Sequence, residues 1–303
     1  PRPPSAVVAG SNHTVYVTPS GDLKLAGYVH GDVSPSPLKF ETRLPLKCVQ
    51  VAAGRRHVVA LLGDGPVMNN TNLGTNARRG GGGSGGNGKS QGFGGPTVVV
   101  TWGAGHFGQL GHGPDVVSCG GPRVVERLLP QAVGGNVIHV AAGALHTGVL
   151  VSADPSAPAS TRAFMFGSNR RGQCGTAGLS SAPGATEPKS SNTIPIPAPV
   201  VPVSHPETGR PVTFARLALG RLHTVALANS GEVYTWGSAT AGRCGHGDAR
   251  GGHGGDRSTM TPEQRRAARG GTCPPRRVDA LRNVTVVNIA AGDGHSLALT
   301  GGG

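Results

Sequence analysis

One phrase recurs five times along the chain, and a fixed repeat constrains architecture more strongly than any composition does. It reads VVAGSNH from Val7 to His13, VAAGRRH from Val51 to His57, VAAGALH from Val140 to His146, LALGRLH from Leu217 to His223 and IAAGDGH from Ile289 to His295. Each copy places a Gly three residues before the His (Gly10, Gly54, Gly143, Gly220, Gly292) and an apolar residue four beyond it (Val17, Leu61, Leu150, Leu227, Leu299). A second phrase follows in three copies. Trp102-Gly103, Phe166-Gly167 and Trp236-Gly237 are each joined, at one spacing, to a Gly-x-apolar-Gly segment at 108–111, 172–175 and 242–245. The step from His223 to Trp236 leads from His13 to Ala26, so the first copy keeps the register and lacks the aromatic. Longer steps after His57 and His146 place insertions in the same connection of the second and third copies.

Within a copy, His223-Thr-Val-Ala-Leu227 and Glu232-Val-Tyr-Thr-Trp236 can turn alternate residues to opposite sides of extended strands, and Asn229-Ser-Gly231 between them supplies a tight turn. That pattern predicts a β-hairpin. Glycine in the second phrase permits positive φ and close backbone approach, while Leu110, Cys174 or Cys244 inside it can plug the space between neighbouring units. With 52 Gly and 25 Pro among 303 residues, short strands and loops are favoured over helices.

The alternation of A-x-G-x-x-H-x-x-x-L with W-G-x-x-x-x-G-Q-L-G resembles the regulator of chromosome condensation repeat. The resemblance implies an all-β fold, a propeller of typically seven four-stranded antiparallel blades, of which four and the start of a fifth are visible here. Residues 1–303 then form one propeller domain, incomplete by that count, with repeats near 7–50, 51–139, 140–216, 217–288 and 289–299. Three segments, 66–96, 176–210 and 246–275, read as insertions that form flexible loops too poor in apolar residues to bury anything. One of them offers a helix start at Thr261-Pro262-Glu263-Gln264.

Catalytic chemistry has little to work with. No Ser-His-Asp arrangement or recurring carboxylate pair is legible, and only 15 acidic residues are present. Residues 83–90 match a phosphate-binding G-x-x-x-x-G-K-S loop, but they lie in a Gly-rich run without the strand and helix that the motif needs. One equivalent His per blade would lie around a ring rather than at a point, so His13, His57, His146, His223 and His295 read as structural residues bonding backbone groups between strands, and no metal is expected. Gly103, Gly167 and Gly237 belong to the same structural set, with Trp102, Phe166 and Trp236 as blade aromatics. No cofactor is expected. Cys174 and Cys244 read as small buried hydrophobes, while Cys48, Cys119 and Cys273 have no assigned place.

Charge is the most informative feature outside the repeat. Lys and Arg number 28 against 15 acids, a net charge of +13 that attracts acidic protein surfaces first and nucleic acid second. The candidate contact residues are Arg170, Arg171, Arg265, Arg266 and Arg269. The sequence therefore points to a non-catalytic scaffold whose partners are other proteins of a multi-subunit assembly. The alternative that the resemblance implies is guanine-nucleotide exchange on a Ran-like small GTPase, with chromatin or nucleic-acid association. No apolar run reaches the roughly 18 to 20 residues needed to span a bilayer, so membrane insertion is not expected. Five Cys without a C-x-x-C pair fit a reducing intracellular compartment, with nucleus, cytoskeleton, cilium and mitochondrion fitting equally.

Overall fold

The two recurring phrases lie at strand ends, and they fix which ends come together. In the computed structural model, which describes residues 5–29, 38–39, 46–65, 95–154, 160–176, 192–247 and 271–301, the phrase His opens the second strand of its sheet in the first four copies and directly precedes it in the fifth. The first sheet contains β1 (Ala6–Ala9), β2 (His13–Val17), β3 (Leu23–Gly27) and β4 (Leu38–Lys39). The second contains β5 (Lys47–Ala53), β6 (His57–Gly63), β7 (Val98–Ala104) and β8 (Ser118–Val124). The third contains β9 (Asn136–Ala142), β10 (His146–Ser152), β11 (Thr161–Ser168) and β12 (Thr193–Pro199). The fourth contains β13 (Phe214–Leu219), β14 (His223–Ala228), β15 (Val233–Ser238) and β16 (Thr272–Arg277), and β17 (Val286–Ala291) pairs with β18 (Ser296–Thr300) to begin a fifth. All pairings are antiparallel between strands consecutive in sequence.

Antiparallel order puts both phrases on one face of the disc. His57 pairs with Gly103, His146 with Gly167 and His223 with Gly237, so the turn between strands one and two and the loop after strand three emerge together. The hairpin between strands two and three, and the connection to the next blade, emerge on the opposite face.

The core lies between blades rather than inside them. Along β6, Val58, Ala60 and Leu62 join a cluster with Val15, Leu25 and Trp102, whereas the intervening Val59 and Leu61 join Val149, Val151 and Phe166. The same alternation divides β14, with Ala226 and Ala228 toward the third blade and Val225 and Leu227 toward the fifth. A strand whose two sides each meet a neighbouring blade is apolar on both, as in any sheet buried on both faces. Each blade aromatic packs backward, Trp102 against the first blade, Phe166 against the second and Trp236 against the third. Ala26, at that position in the first copy, is exposed.

Two of the segments read as insertions contain the outer strands of their blades. Residues 193–199 are β12 and residues 272–277 are β16, and Val200, Val203 and Val212 pack against the core between the third and fourth blades. Pro195, Pro197, Pro199, Pro274 and Pro275 masked them in the sequence. An outermost strand tolerates Pro because one of its sides needs no ladder donor. The proposed helix start at Thr261 lies outside the described residues, as does most of 66–96.

Trp236 is fully buried, stacks at a tilt 6.0 Å from Phe214 and donates its indole N–H to the Gln173 carbonyl at 2.9 Å. Trp236→Ala is expected to lower unfolding free energy by about 3–5 kcal/mol, measured by denaturant titration against Tyr28→Ala at an exposed position.

Candidate interaction surface

The loops of the phrase-bearing face are held by one bond pattern repeated from blade to blade. The imidazole Nε2 of His57 meets Thr147 Oγ1 of the next blade at 2.9 Å, that of His146 meets Thr224 Oγ1 at 3.2 Å, and that of His223 meets Ser296 Oγ at 3.0 Å. Each hydroxyl donates its single proton back to the earlier blade, Thr147 to the Gln109 carbonyl, Thr224 to that of Gln173 and Ser296 to that of Arg243. The hydroxyl oxygen can then only accept from the ring, so Nε2 carries a proton. The sequence reading assigned these rings to backbone groups; their partners are hydroxyls of the adjacent blade. His13 has no ring partner among the described residues, because Val58 stands where the later copies have Thr or Ser.

Glycine is required beside each ring. A Cβ on Gly143 would lie 2.4 Å from His146 Cε1 and 2.5 Å from the Gly220 carbonyl of the next blade, and the other copies repeat this crowding. In the aromatic phrase, Gly103 has φ +105° and a Cβ there would sit 2.5 Å from the Arg56 carbonyl. Backbone bonds run from blade to blade along an arc around the axis: Ser11 N–H to Arg55 carbonyl, Arg55 to Ala144, Ala144 to Gly220 and Arg221 to Asp293. Deeper in the channel, His139 accepts from Gln50 Nε2 at 3.0 Å and donates to the Leu217 carbonyl at 3.0 Å, joining three blades.

These rigid loops carry arginine outward. Arg55, Arg56 and Arg221 occupy the two positions between Gly and His, while Arg170 and Arg171 open the loop after strand three; all five are exposed. Arg243, in the corresponding loop of the fourth blade, is half-buried. Arg170 lies over the Phe107 ring, 5.3 Å from its centroid, which holds its guanidinium between the second and third blades. Of the carboxylates among the described residues, Asp115 and Asp293 share this face. Asp22, Asp64, Glu126, Asp154, Glu207, Glu232 and Asp279 fall on the opposite one. There Arg277 is enclosed by Glu207, Glu232 and Asp279 at 2.9, 3.0 and 3.1 Å, so its charge is neutralised locally.

Of the contact residues expected from sequence, Arg170 and Arg171 sit together on this face, and Arg265, Arg266 and Arg269 lie outside the described residues. Sequence reasoning missed Arg55, Arg56 and Arg221 as members of one surface. The signal was their shared place between Gly and His. Among the described residues no three His, Cys, Asp or Glu side chains converge as a metal site.

Models of the regulator of chromosome condensation repeat match residues 99–150, 214–243 and 230–299. The chain belongs to the regulator of chromosome condensation repeat family. Human E3 ubiquitin-protein ligase HERC2 is 24% identical over 202 residues, covering 67% of this chain and 3% of HERC2. Mouse Alsin is 31% identical over 175 residues, covering 57% of this chain and 8% of Alsin. The chain thus spans a small part of either relative. Among solved structures, human WBSCR16 superposes with a TM-score of 0.62 at 20% identity, over 97% of this chain and 57% of that one. Prp20p of Saccharomyces cerevisiae, studied with its binding to Gsp1p and histones, superposes with a TM-score of 0.59 at 17% identity, over 96% and 55%. These structural likenesses establish the propeller fold.

Burial holds the bridging rings in the neutral form and lowers His57 and His146 to about 3 and His139 and His223 to about 4, from an ordinary 6.5. In the unfolded chain these rings take up protons below 6.5 while the folded protein does not, so their contribution is complete above that pH and is lost as pH falls toward 4 and 3. The family propeller is expected to lose stability between pH 6.5 and 4, by up to about 1.4 kcal/mol per pH unit for each such ring, read from denaturant midpoints across the series. Thr147→Val removes the acceptor for His57 and the donor to Gln109, and should cost about 1–3 kcal/mol at pH 7, by the same measurement.

Proposed function

We propose that this chain is a non-catalytic interaction scaffold of an intracellular assembly, and that its arginine-bearing face docks an acidic protein surface. The single observation behind this reading is the segregation of charge. Exposed Arg55, Arg56, Arg170, Arg171 and Arg221 share one face, and most described carboxylates lie on the other. Fixed loops lower the ordering cost of a contact, since the backbone that presents each guanidinium is already bonded in place. Arginine also offers paired donors to carboxylates, which makes acidic side chains well-matched partners. Nucleic acid is the weaker alternative, because among the described residues Phe107 and the exposed Tyr28 on this face do not amount to a series of aromatic stacking platforms. The five unpaired thiols fit a reducing compartment.

Binding to immobilised polyglutamate and to duplex DNA tests the reading. Polyglutamate binding should weaken steeply with salt and fall about tenfold or more in Arg170→Glu, Arg171→Glu, Arg221→Glu, a loss of about 1.4 kcal/mol or more. Charge changes at Arg127 and Arg282 on the opposite face should leave it unaltered. Equal losses from both faces would remove the docking surface from consideration. Guanine-nucleotide exchange, the activity implied by the resemblance, is checked separately by nucleotide release from Ran-type GTPases. The scaffold reading expects no acceleration.

A further inference from the structure

Two thiols meet in the fourth blade at a place where the second and third blades have one. The apolar position of the loop after strand three is Leu110, Cys174 and Cys244 in blades two to four. The fourth-strand residue opposite the glycine of the aromatic phrase is Cys119 against Gly103, Ile194 against Gly167, and Cys273 against Gly237. In the fourth blade both positions are Cys. Cys244 and Cys273 form a small buried cluster with Ala239, and their side chains are hydrogen-bonded to each other. Cys244 Sγ also lies 3.2 Å from the Ser238 carbonyl, and Cys273 Sγ lies 3.2 Å from that of Pro274.

The surroundings distinguish the two sulfurs. His246, whose Nε2 is 2.8 Å from Thr235 Oγ1, hydrogen-bonds Cys273, and Arg276 adds positive potential. The bond from Cys244, with these neighbours, draws the Cys273 thiol well below its ordinary range. Cys244 is pushed up by that same bond and by burial, with Arg243 opposing. Cys273 is thus the more acidic thiol of the pair. Burial alone pushes Cys174 up, and it pushes Cys48 up to about 12, so neither is activated.

We propose that Cys244 and Cys273 are a reversible oxidation site that closes to a disulfide with hydrogen peroxide as the oxidant. The Cys273 sulfur attacks one peroxide oxygen, the O–O bond breaks, and the departing hydroxide takes a proton to become water, leaving a sulfenic acid on Cys273. The Cys244 sulfur then attacks the Cys273 sulfur and displaces hydroxide, which leaves as a second water with the Cys244 proton. Two thiols lose two electrons and one peroxide gains them. Hydrogen-bonded thiols need only a short approach to reach the S–S separation of about 2.05 Å. The link encloses residues 245–272 and ties β16 to the loop after β15, directly beside Arg243.

The test treats the full chain with hydrogen peroxide, blocks remaining thiols with N-ethylmaleimide after unfolding, and maps non-reduced peptides. The expected result is a Cys244–Cys273 linked pair, an intact mass lower by two hydrogens, and reversal by dithiothreitol, with Cys48 and Cys174 still alkylated. In Cys244→Ser, dimedone should trap a sulfenic acid on Cys273. Mapping of the unsubstituted protein stands whether or not that variant folds. Absence of the linked pair, linkage through another cysteine, or direct passage of Cys273 to sulfinic acid would each overturn the proposal.

Discussion

A neutral imidazole that reaches across to the next blade is the interaction on which the rest of the architecture depends. It fixes the tautomer through a hydroxyl whose own proton is spent on a backbone carbonyl, and it forces a Gly three residues earlier because no Cβ fits beside the ring. The blade-to-blade backbone bonds around the axis follow from that close approach. So does the position of the loops after strand three, since the Gln109, Gln173 and Arg243 carbonyls are the far ends of the same bonds.

Placing the apolar clusters between blades makes stability a property of neighbouring pairs, as in other repeat architectures. The second, third and fourth blades are covered on both sides, and their second strands are buried throughout. At β18, where the described blade has a neighbour on one side, Leu297 and Leu299 are more than half exposed. Exposed apolar side chains of that size on a strand ordinarily find a cover.

The central hairpins were legible because their chemistry is local and repeated: the His, the Gly before it and the aromatic after it all lie within one copy. The hydroxyl partners were not found, although Thr147, Thr224 and Ser296 each directly follow a phrase His, because their role concerns the preceding blade. Outer strands β12 and β16 were hidden by their prolines, which an edge position tolerates and a sequence pattern penalises. The arginine face was half legible. Arg170 and Arg171 could be named, while Arg55 and Arg221 lie far apart in the chain and come to line one axial cavity only through the stacking of blades. The paired thiols were invisible for a similar reason, since antiparallel pairing alone brings Cys273 opposite Gly237 and so beside the loop of Cys244.

Between Gly and His in the first four copies stand two residues tied to the scaffold through backbone groups rather than side chains. The second of them, Asn12, Arg56, Leu145 or Leu222, offers only its carbonyl to the residue after the aromatic-phrase glycine. The pairs Ser-Asn, Arg-Arg, Ala-Leu, Arg-Leu and Asp-Gly are consequently interchangeable as far as the propeller is concerned. They act as an addressable dial around the axis, on which a recognition surface can be rewritten blade by blade while the frame beneath keeps its form.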